Sequence, residues 1–199
     1  MKKLVIALFI MAGIFSTATA QKVYIQGGAN LANITKDADG NTDDQKSLVS
    51  FNVGVMGSFG LSDILDIETG LLFTGRGQKF ESVVNDNNYV KGKFNPLFIE
   101  LPVNLLVKFP VTKTSHLFVN AGPYVAVGVA GKSKVETKFL GVVANAESNI
   151  EFNNDDPTTA QQEDASYSKI KRFDYGLNFG GGVAFKSLII KANYGLGLA

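Results

Sequence analysis

Apolar and polar residues alternate along most of this chain, and this period of two is the feature that most restricts its fold. In the clearest stretch, Phe173, Tyr175 and Leu177 form an apolar set. Asp174 and Gly176 lie between them. Successive side chains of a strand point to opposite faces of a sheet, so the pattern predicts strands with one apolar face. No stretch after residue 20 repeats apolar residues at helical spacing, and the sequence therefore predicts an all-β protein.

The glycines indicate which face points inward. Gly54, Gly122 and Gly176 belong to the polar faces of their stretches. A water-facing sheet surface seldom carries glycine, which weakens a strand without adding contacts, whereas the lumen of a narrow barrel requires small residues. The apolar faces carry almost no charge over about 9–11 residues, the length of a tilted transmembrane strand. A lysine there would cost about 2–4 kcal/mol, so we predict that the apolar faces contact lipid.

The spacing of these stretches predicts an antiparallel up-and-down transmembrane β-barrel of about eight strands. The connections alternate between short (61–64, 110–115 and 186–187) and long (35–46, 80–88 and 132–166), as in outer-membrane barrels with short periplasmic turns. Because such barrels have even strand numbers, we expect a last strand to be missing from this chain. Seven strands are visible, at 22–34, 47–60, 65–79, 89–109, 116–131, 167–186 and 188–198.

The N-terminus has the features of a secretory signal peptide. Lys2 and Lys3 precede an apolar run at 4–15, and Ala18 and Ala20 form a small-residue cleavage site. We therefore divide the chain into a signal peptide at 1–20 and an outer-membrane barrel domain at 21–199, and we expect the protein to be exported through the periplasm to the bacterial outer membrane.

Composition excludes several other classes of protein. The chain has no Cys, one His and a formal net charge of +1. The missing cysteines exclude a disulfide scaffold and a zinc-finger or iron–sulfur protein. The near-neutral charge argues against a nucleic-acid partner. No cofactor is expected.

Several segments resemble a family of small bacterial outer-membrane β-barrel proteins that includes the PorT-like proteins. The resemblance covers most of residues 21–199 and is specific for the scaffold. It implies a non-enzymatic envelope protein, either an accessory of secretion or an adhesion protein. The segments that carry it are FIELPVNLLVKF at 98–109, ETGLLF at 68–73, FVNAGPY at 118–124 and FDYGL at 173–177.

Two motifs resemble parts of catalytic sites, but their surroundings argue against catalysis. His116 follows Ser115, and a lipid-modifying hydrolase would need such a pair with an acidic partner. Both residues lie beside a predicted periplasmic turn, away from the outer leaflet, so we interpret His116 as a polar turn residue. The glycine triplet at 180–182 lacks the following helix and lysine of a phosphate-binding loop and is interpreted as strand. No catalytic residue is predicted.

The two longest loops are the candidate binding surfaces. Loop 35–46 offers a weak calcium site, because its oxygen ligands are spaced as in a calcium loop but the bidentate Glu is absent. Loop 132–166 is acidic and could bind a basic protein partner, or cations that bridge lipopolysaccharide, although a solvated surface is the plainer interpretation. Within it, 134–146 could extend a strand above the membrane. The calcium candidates are Asp37, Asp39, Asn41 and Asp43, and the acidic residues are Glu147, Glu151, Asp155, Asp156, Glu163 and Asp164.

Ionisable residues on the polar faces predict a network of paired charges in the lumen. We expect Glu68 and Lys191 to lie near one another low in the lumen, and Arg76 and Asp174 to pair higher up. A proton or ion relay is the alternative, but a small barrel has room only for its own side chains. The predicted members are Asp66, Glu68, Arg76, Glu100, Lys108, Arg172, Asp174 and Lys191.

Together these observations predict a non-enzymatic outer-membrane barrel that contacts lipid and lipopolysaccharide and recognises a partner through its external loops at 35–46 and 132–166. A narrow passive pore for small solutes is the alternative, and a filled lumen argues against it.

Overall fold

The computed structural model describes residues 21–32, 45–85, 87–153 and 169–198. These residues contain no helix long and apolar enough to cross a membrane. The described part is all-β and antiparallel except for one short pair, which confirms the predicted fold class. The strands are β1 Gln21–Ala32, β2 Gln45–Gly60, β3 Leu65–Gly75, β4 Gln78–Asn85, β5 Asn88–Pro110, β6 His116–Phe139, β7 Val142–Asn149, β8 Glu151–Asn153, β9 Lys169–Lys171, β10 Phe173–Ala184 and β11 Ile189–Gly197.

Seven strands form one meander, in the order β1-β2-β3-β5-β6-β10-β11. They correspond to the seven strands predicted from the alternation. Turns at 61–64, 111–115 and 185–188 join them at one end, each closed by a backbone hydrogen bond such as Val111 N to Ser115 O at 3.0 Å. No ladder joins β1 to β11 among the described residues, and the expected further strand stays a prediction.

The meander is curled into a barrel-like shape. Lys191 on β11 reaches Glu68 on β3, with 3.1 Å between Nζ and Oε1. Lys191 Nζ also lies 5.8 Å from the centre of the Tyr24 ring on β1. Neighbouring strands lie about 4.8 Å apart, so in a flat sheet β3 and β11 would be roughly 19 Å apart. The two ends of the sheet therefore curve towards each other around a narrow lumen.

Burial follows the predicted faces. On β5 the outward residues Ile99, Leu101 and Val103 are exposed, while the inward residues Glu100 and Asn104 are buried. An exposed apolar face of this kind is what a bilayer covers.

The inward glycines allow close approach of neighbouring strands. A Cβ on Gly122 would lie 2.0 Å from the backbone oxygen of Val103, and one on Gly54 would lie 2.0 Å from that of Leu71. At these two positions the backbone of the neighbouring strand leaves no room for a side chain.

Strands β5 and β6 continue well beyond the other barrel strands, with 23 and 24 residues. Their extensions pair with β4 on one side and β7 on the other. We call this four-stranded sheet the platform; it comprises 78–85, 88–96, 131–139 and 142–149. The barrel and the platform meet at an irregularity in β6, where Val129 has no partner between the pairs Leu97–Ala130 and Phe98–Gly128.

The platform corrects two predicted loops. The predicted long loop at 80–88 is wrong, because 78–85 is strand β4 and the turn into β5 is tight. In the predicted loop 132–166, residues 132–139 prolong β6 and 142–149 form β7, so the expected strand extension within 134–146 is confirmed. The physical reason is the same on both sides: strands that leave the bilayer still satisfy their backbone groups best by continuing the ladder.

Candidate functional site

The lumen contains three tiers of polar side chains, marked on β5 by Glu100, Asn104 and Lys108. These positions are separated by four residues each, or about 13 Å along the strand. Each side chain points inward and meets partners from other strands of the curled sheet. The tiers correspond to the network of paired charges that the ionisable residues on the polar faces predict.

The upper tier surrounds Arg76, which lies at the break between β3 and β4. Its guanidinium forms ion pairs with Glu100 and Asp174. It also lies over the Tyr124 ring, with 4.3 Å between Cζ and the ring centre. Asn178 Nδ2 donates to the other oxygen of Glu100 at 3.2 Å. The predicted pairing of Arg76 with Asp174 is present.

The middle tier surrounds Glu68, a residue only 2% exposed. Lys191 Nζ and Asn104 Nδ2 both donate to its Oε1, at 3.1 and 3.2 Å. The Tyr24 hydroxyl donates to its Oε2. The predicted pairing of Glu68 with Lys191 is present, but at the middle of the lumen and not low in it, because Asp66 and Lys108 occupy the lower position. Both oxygens of the buried carboxylate are satisfied.

The lower tier lies near the short turns. Lys108 pairs with Asp66, and Ser58 Oγ donates to the other oxygen of that carboxylate at 2.8 Å. At the same height Leu106, the strand partner of Asp66, and Phe118, the strand partner of Lys108, form an apolar cluster with Ala184. Polar pairs and apolar clusters together occupy this end of the lumen.

Arg172 is a correction to the predicted network. It lies at the bend between β9 and β10, where its side chain is exposed and Nη2 donates to the Phe152 carbonyl at 3.4 Å. The alternation from 172 to 185 places Arg172 on the inward face of the strand. At this height, however, the strand extends beyond the lumen, so its inward face no longer points at the other charged residues. Arg172 therefore holds the short pair β8–β9 and does not join the tiers.

An aromatic lid lies over the upper tier. Phe152 and Ile170, from β8 and β9, pack against a buried cluster of Phe98, Tyr124 and Ala126. The rings of Phe152 and Phe98 meet edge to face at 5.8 Å.

Gly128 makes room for this lid, because a Cβ there would lie 2.1 Å from the Phe152 ring. The mouth of the lumen is covered by the chain itself.

The platform presents cross-strand ion pairs on its outward face. Glu147 on β7 accepts from Lys132 and Lys134 of β6, at 2.6 and 2.7 Å. These two hydrogen bonds lower the pKa of the Glu147 carboxyl to about 2. Lys91 pairs with Glu81 at 2.8 Å.

The tip of the platform is a two-residue hairpin turn. Leu140 and Gly141 have φ angles of 49° and 84°, so both central residues adopt the left-handed conformation of a type I′ turn. Leu140 N donates to Asn88 Oδ1 at 3.0 Å, and Gly141 N donates to the Asn87 carbonyl at 3.3 Å. The two turns of the platform thus support each other.

The other sequence motifs lie away from the three tiers or outside the described residues. His116 is the first residue of β6, 6.4 Å from the Phe118 ring, and no hydrogen bond joins it to Ser115 among the described residues. Residues 180–182 lie within β10, as expected. The weak calcium candidates Asp37, Asp39, Asn41 and Asp43 lie outside the described residues, as do Asp155, Asp156, Glu163 and Asp164 of the acidic loop.

Sequence reasoning missed two kinds of residue. One kind is neutral, so a search for inward charges does not select it: Tyr24, Asn104 and Tyr124. The alternation of their strands nevertheless places these residues on the inward face. The platform lysines escape the prediction because the connection lengths predict loops at 80–88 and 132–166. Alternation in KGKF at 91–94 and KSKVE at 132–136 was the available signal.

A narrow antiparallel meander with an apolar exterior, a charged and filled lumen, and short turns at one end defines an outer-membrane β-barrel protein. The family model described as "Outer membrane protein beta-barrel domain" matches residues 20–199, and the chain belongs to this family. Its place is accordingly the bacterial outer membrane. The comparison with curated proteins found no match, and neither did the comparison with solved structures.

Proposed function

We propose that this protein is a non-conducting, non-catalytic barrel that holds the platform outside the outer membrane, where the platform tip binds a protein partner. The partner belongs either to the envelope, as for a PorT-like secretion accessory, or to a foreign surface, as for an adhesion protein. The proposal includes export by removal of residues 1–20, which N-terminal sequencing of the mature protein would test by finding Gln21 first.

The observation that carries the proposal is the apolar tip. Phe139, Leu140 and Val142 are 66%, 75% and 73% exposed. The tip lies about 30 Å along β6 from the apolar band of the barrel, too far for lipid to cover it. Contiguous apolar side chains exposed to water are typical of protein-binding sites.

Backbone strain at Leu140 supports the same interpretation. A type I′ turn favours Asn, Asp or Gly at this position, and a bulky residue with positive φ costs of order 1–3 kcal/mol. Leucine is thus a poor choice for folding the turn and a good choice for an apolar contact. The tip is also prearranged for binding, because it is tied to the neighbouring turn at Asn87 and Asn88.

The free edge of the platform offers a second contact. Strand β7 is exposed along its whole length and pairs only with β6 among the described residues. A partner strand can add to such an edge through backbone hydrogen bonds.

The filled lumen supports a non-conducting barrel over the alternative of a passive pore. Three tiers of paired polar groups and the lid formed by Phe152 and Ile170 occupy the path that a solute would follow. We expect no conductance above the lipid background in planar bilayers. Stable open channels formed by the purified wild-type protein would revive the pore alternative.

The experiment for partner binding compares two exposed apolar turn residues at opposite ends of the barrel. Leu140→Asn relieves the strained turn and removes the apolar tip. Val111→Asn, in a short turn at the other end, is the matched control. A photo-crosslinking residue at position 142 should capture a partner in the wild type and in Val111→Asn, and capture should fall sharply in Leu140→Asn.

The identity of what is captured separates the two kinds of partner. An envelope protein of the same cell supports the secretion role, and a surface protein of another cell supports adhesion. Equal capture by Leu140→Asn and the wild type would contradict the proposed role of the tip.

A further inference from the structure

The outward face of the platform is rich in lysine. The pairing of the four strands places six lysines and three glutamates on the same face. This face therefore carries an excess of positive charge. We call it the basic face. Its lysines are Lys79, Lys91, Lys93, Lys132, Lys134 and Lys138, and its glutamates are Glu81, Glu136 and Glu147.

The glutamates leave part of this charge unpaired. Glu147 is shared by Lys132 and Lys134, so one carboxylate faces two ammonium groups. Lys79 and Lys93 form no ion pair with the described residues. Exposed lysines of one sign, held on a rigid sheet, form a site for anions, because their long side chains can each turn towards a bound group.

The basic face begins where the apolar band ends. On the outward side of β5, residues 97–107 are apolar at every second position, a length that covers about 25 Å of bilayer when the strand is tilted. Lys93 lies on the same side of the same strand as Leu97, four residues farther from the apolar band. On β6, Ala130 is the strand partner of Leu97, and Lys132 lies two residues farther from the apolar band. These lysines lie at the height of the lipid headgroups.

Two adjoining clefts open on the basic face. They have volumes of about 470 and about 570 Å³. Lys93 and Lys134 line both of them, so the pair stands at the centre of one continuous groove. The floor of the groove includes the backbone at Gly92 and Ala146, which lies between the lysines of neighbouring strands. The groove is open to the outside, so an anionic group can approach both lysines directly.

We propose that the basic face binds the phosphate groups of lipopolysaccharide in the outer leaflet, with Lys93 and Lys134 as the central contacts. Charge complementarity selects an anion, and the position directly above the apolar band selects one that is anchored in the same leaflet. This site lies on a different surface from the platform tip, and it would anchor and orient the platform whether or not the tip binds a partner.

The test uses the full chain purified in detergent and presented with two probes: lipid A that carries its phosphates, and the same lipid A after enzymatic removal of the phosphates. The test variant is Lys79→Gln/Lys93→Gln/Lys134→Gln. The matched control is Lys113→Gln/Lys186→Gln, which removes two exposed lysines from the short turns at the other end. Bound lipid is counted by native mass spectrometry, and affinity is measured by fluorescence titration at low and high salt.

We expect the wild type and the control to bind phosphorylated lipid A equally, and the test variant to bind it at least about tenfold more weakly. Removal of the lipid phosphates or addition of salt should weaken binding by the wild type and should affect the test variant much less. Unchanged heat-modifiable migration on gels shows that the variants remain folded.

Three results would overturn the proposal. One is equal binding by the test variant and the control, and another is equal binding of the two lipid probes by the wild type. The third is binding of phosphorylated lipid A only after Asp155, Asp156, Glu163 and Asp164 are all changed to Asn, which would show that the basic face is covered by the chain's own acidic segment.

Discussion

Strands β5 and β6 pass through both the barrel and the platform, and their two faces exchange character on the way. In the barrel the outward face is apolar, as at Ile99 and Leu101, and the inward face carries Glu100. In the platform the outward face carries Lys91 and Lys93, and the inward face buries Phe94. The outward residues of the same strand thus suit lipid in the barrel and water in the platform.

The difference teaches that alternation reports the contrast between two faces and leaves open which of them is dry. In lipid the surroundings are apolar, so the charges must pair inside. In water the surroundings are polar, so between its ends the platform exposes its charges and buries Phe94 on the other face. The predictions below test this comparison, from the largest expected effect to the smallest.

Loss of a buried carboxylate in the barrel should have the largest effect. Glu68→Gln leaves the Lys191 ammonium buried without a counter-charge, and removing one partner of a buried pair costs about 3–5 kcal/mol. We expect a clear fall in the temperature at which heat-modifiable migration is lost. The control is Glu147→Gln in the platform, whose carboxylate is exposed and should cause no comparable shift. Equal shifts of the two variants would contradict the difference between the regions.

A lysine on the outward face should be tolerated only above the apolar band. Leu101→Lys places a charge against lipid, at a cost of about 2–4 kcal/mol near the bilayer centre. We expect slower insertion into vesicles and a lower urea midpoint. The reverse change on the same face of the same strand, Lys93→Leu, should leave both unchanged. If Leu101→Lys inserts like the wild type, the apolar band has been placed at the wrong height.

Inward glycines should resist a methyl group that outward glycines accept. Gly122→Ala places a Cβ 2.0 Å from the backbone oxygen of Val103, and overpacking of this kind costs about 1–3 kcal/mol. Gly27→Ala meets no atom within 4 Å and serves as the control. Urea unfolding in micelles compares them, and similar midpoints would mean that the lumen is less crowded than described.

The smallest effect concerns the charges of the platform. Because the pKa of Glu147 is lowered to about 2, its ion pairs contribute stability above the ordinary carboxyl pKa, and this contribution is lost as pH falls through about 2. Carbon-13 NMR titration of the side chain should show this low pKa. Lys132→Gln/Lys134→Gln should return it towards the ordinary value, and an unshifted pKa in the wild type would contradict the two hydrogen bonds.

Sequence reasoning located the spanning strands closely and located the platform poorly. The predicted strand at 116–131 stops close to Val129, the irregularity in β6 at which the barrel becomes the platform. The alternation changes phase there, and the strand continues to Phe139. The predicted loop at 80–88 likewise falls on paired strands, because Asn85 ends β4 and Asn88, its partner, begins β5.

The sequence by itself determined that this chain is all-β, which side of each spanning strand faces lipid, and which charges must be hidden, because a period of two and the cost of a charge in lipid are local properties. Only the tertiary structure decided that Tyr24 and Asn104 complete the partners of Glu68, that Arg172 lies beyond the lumen, and that Phe152 covers its mouth. These facts depend on how far the sheet curls and where each strand leaves the bilayer. Both are set by the register of all the strands together.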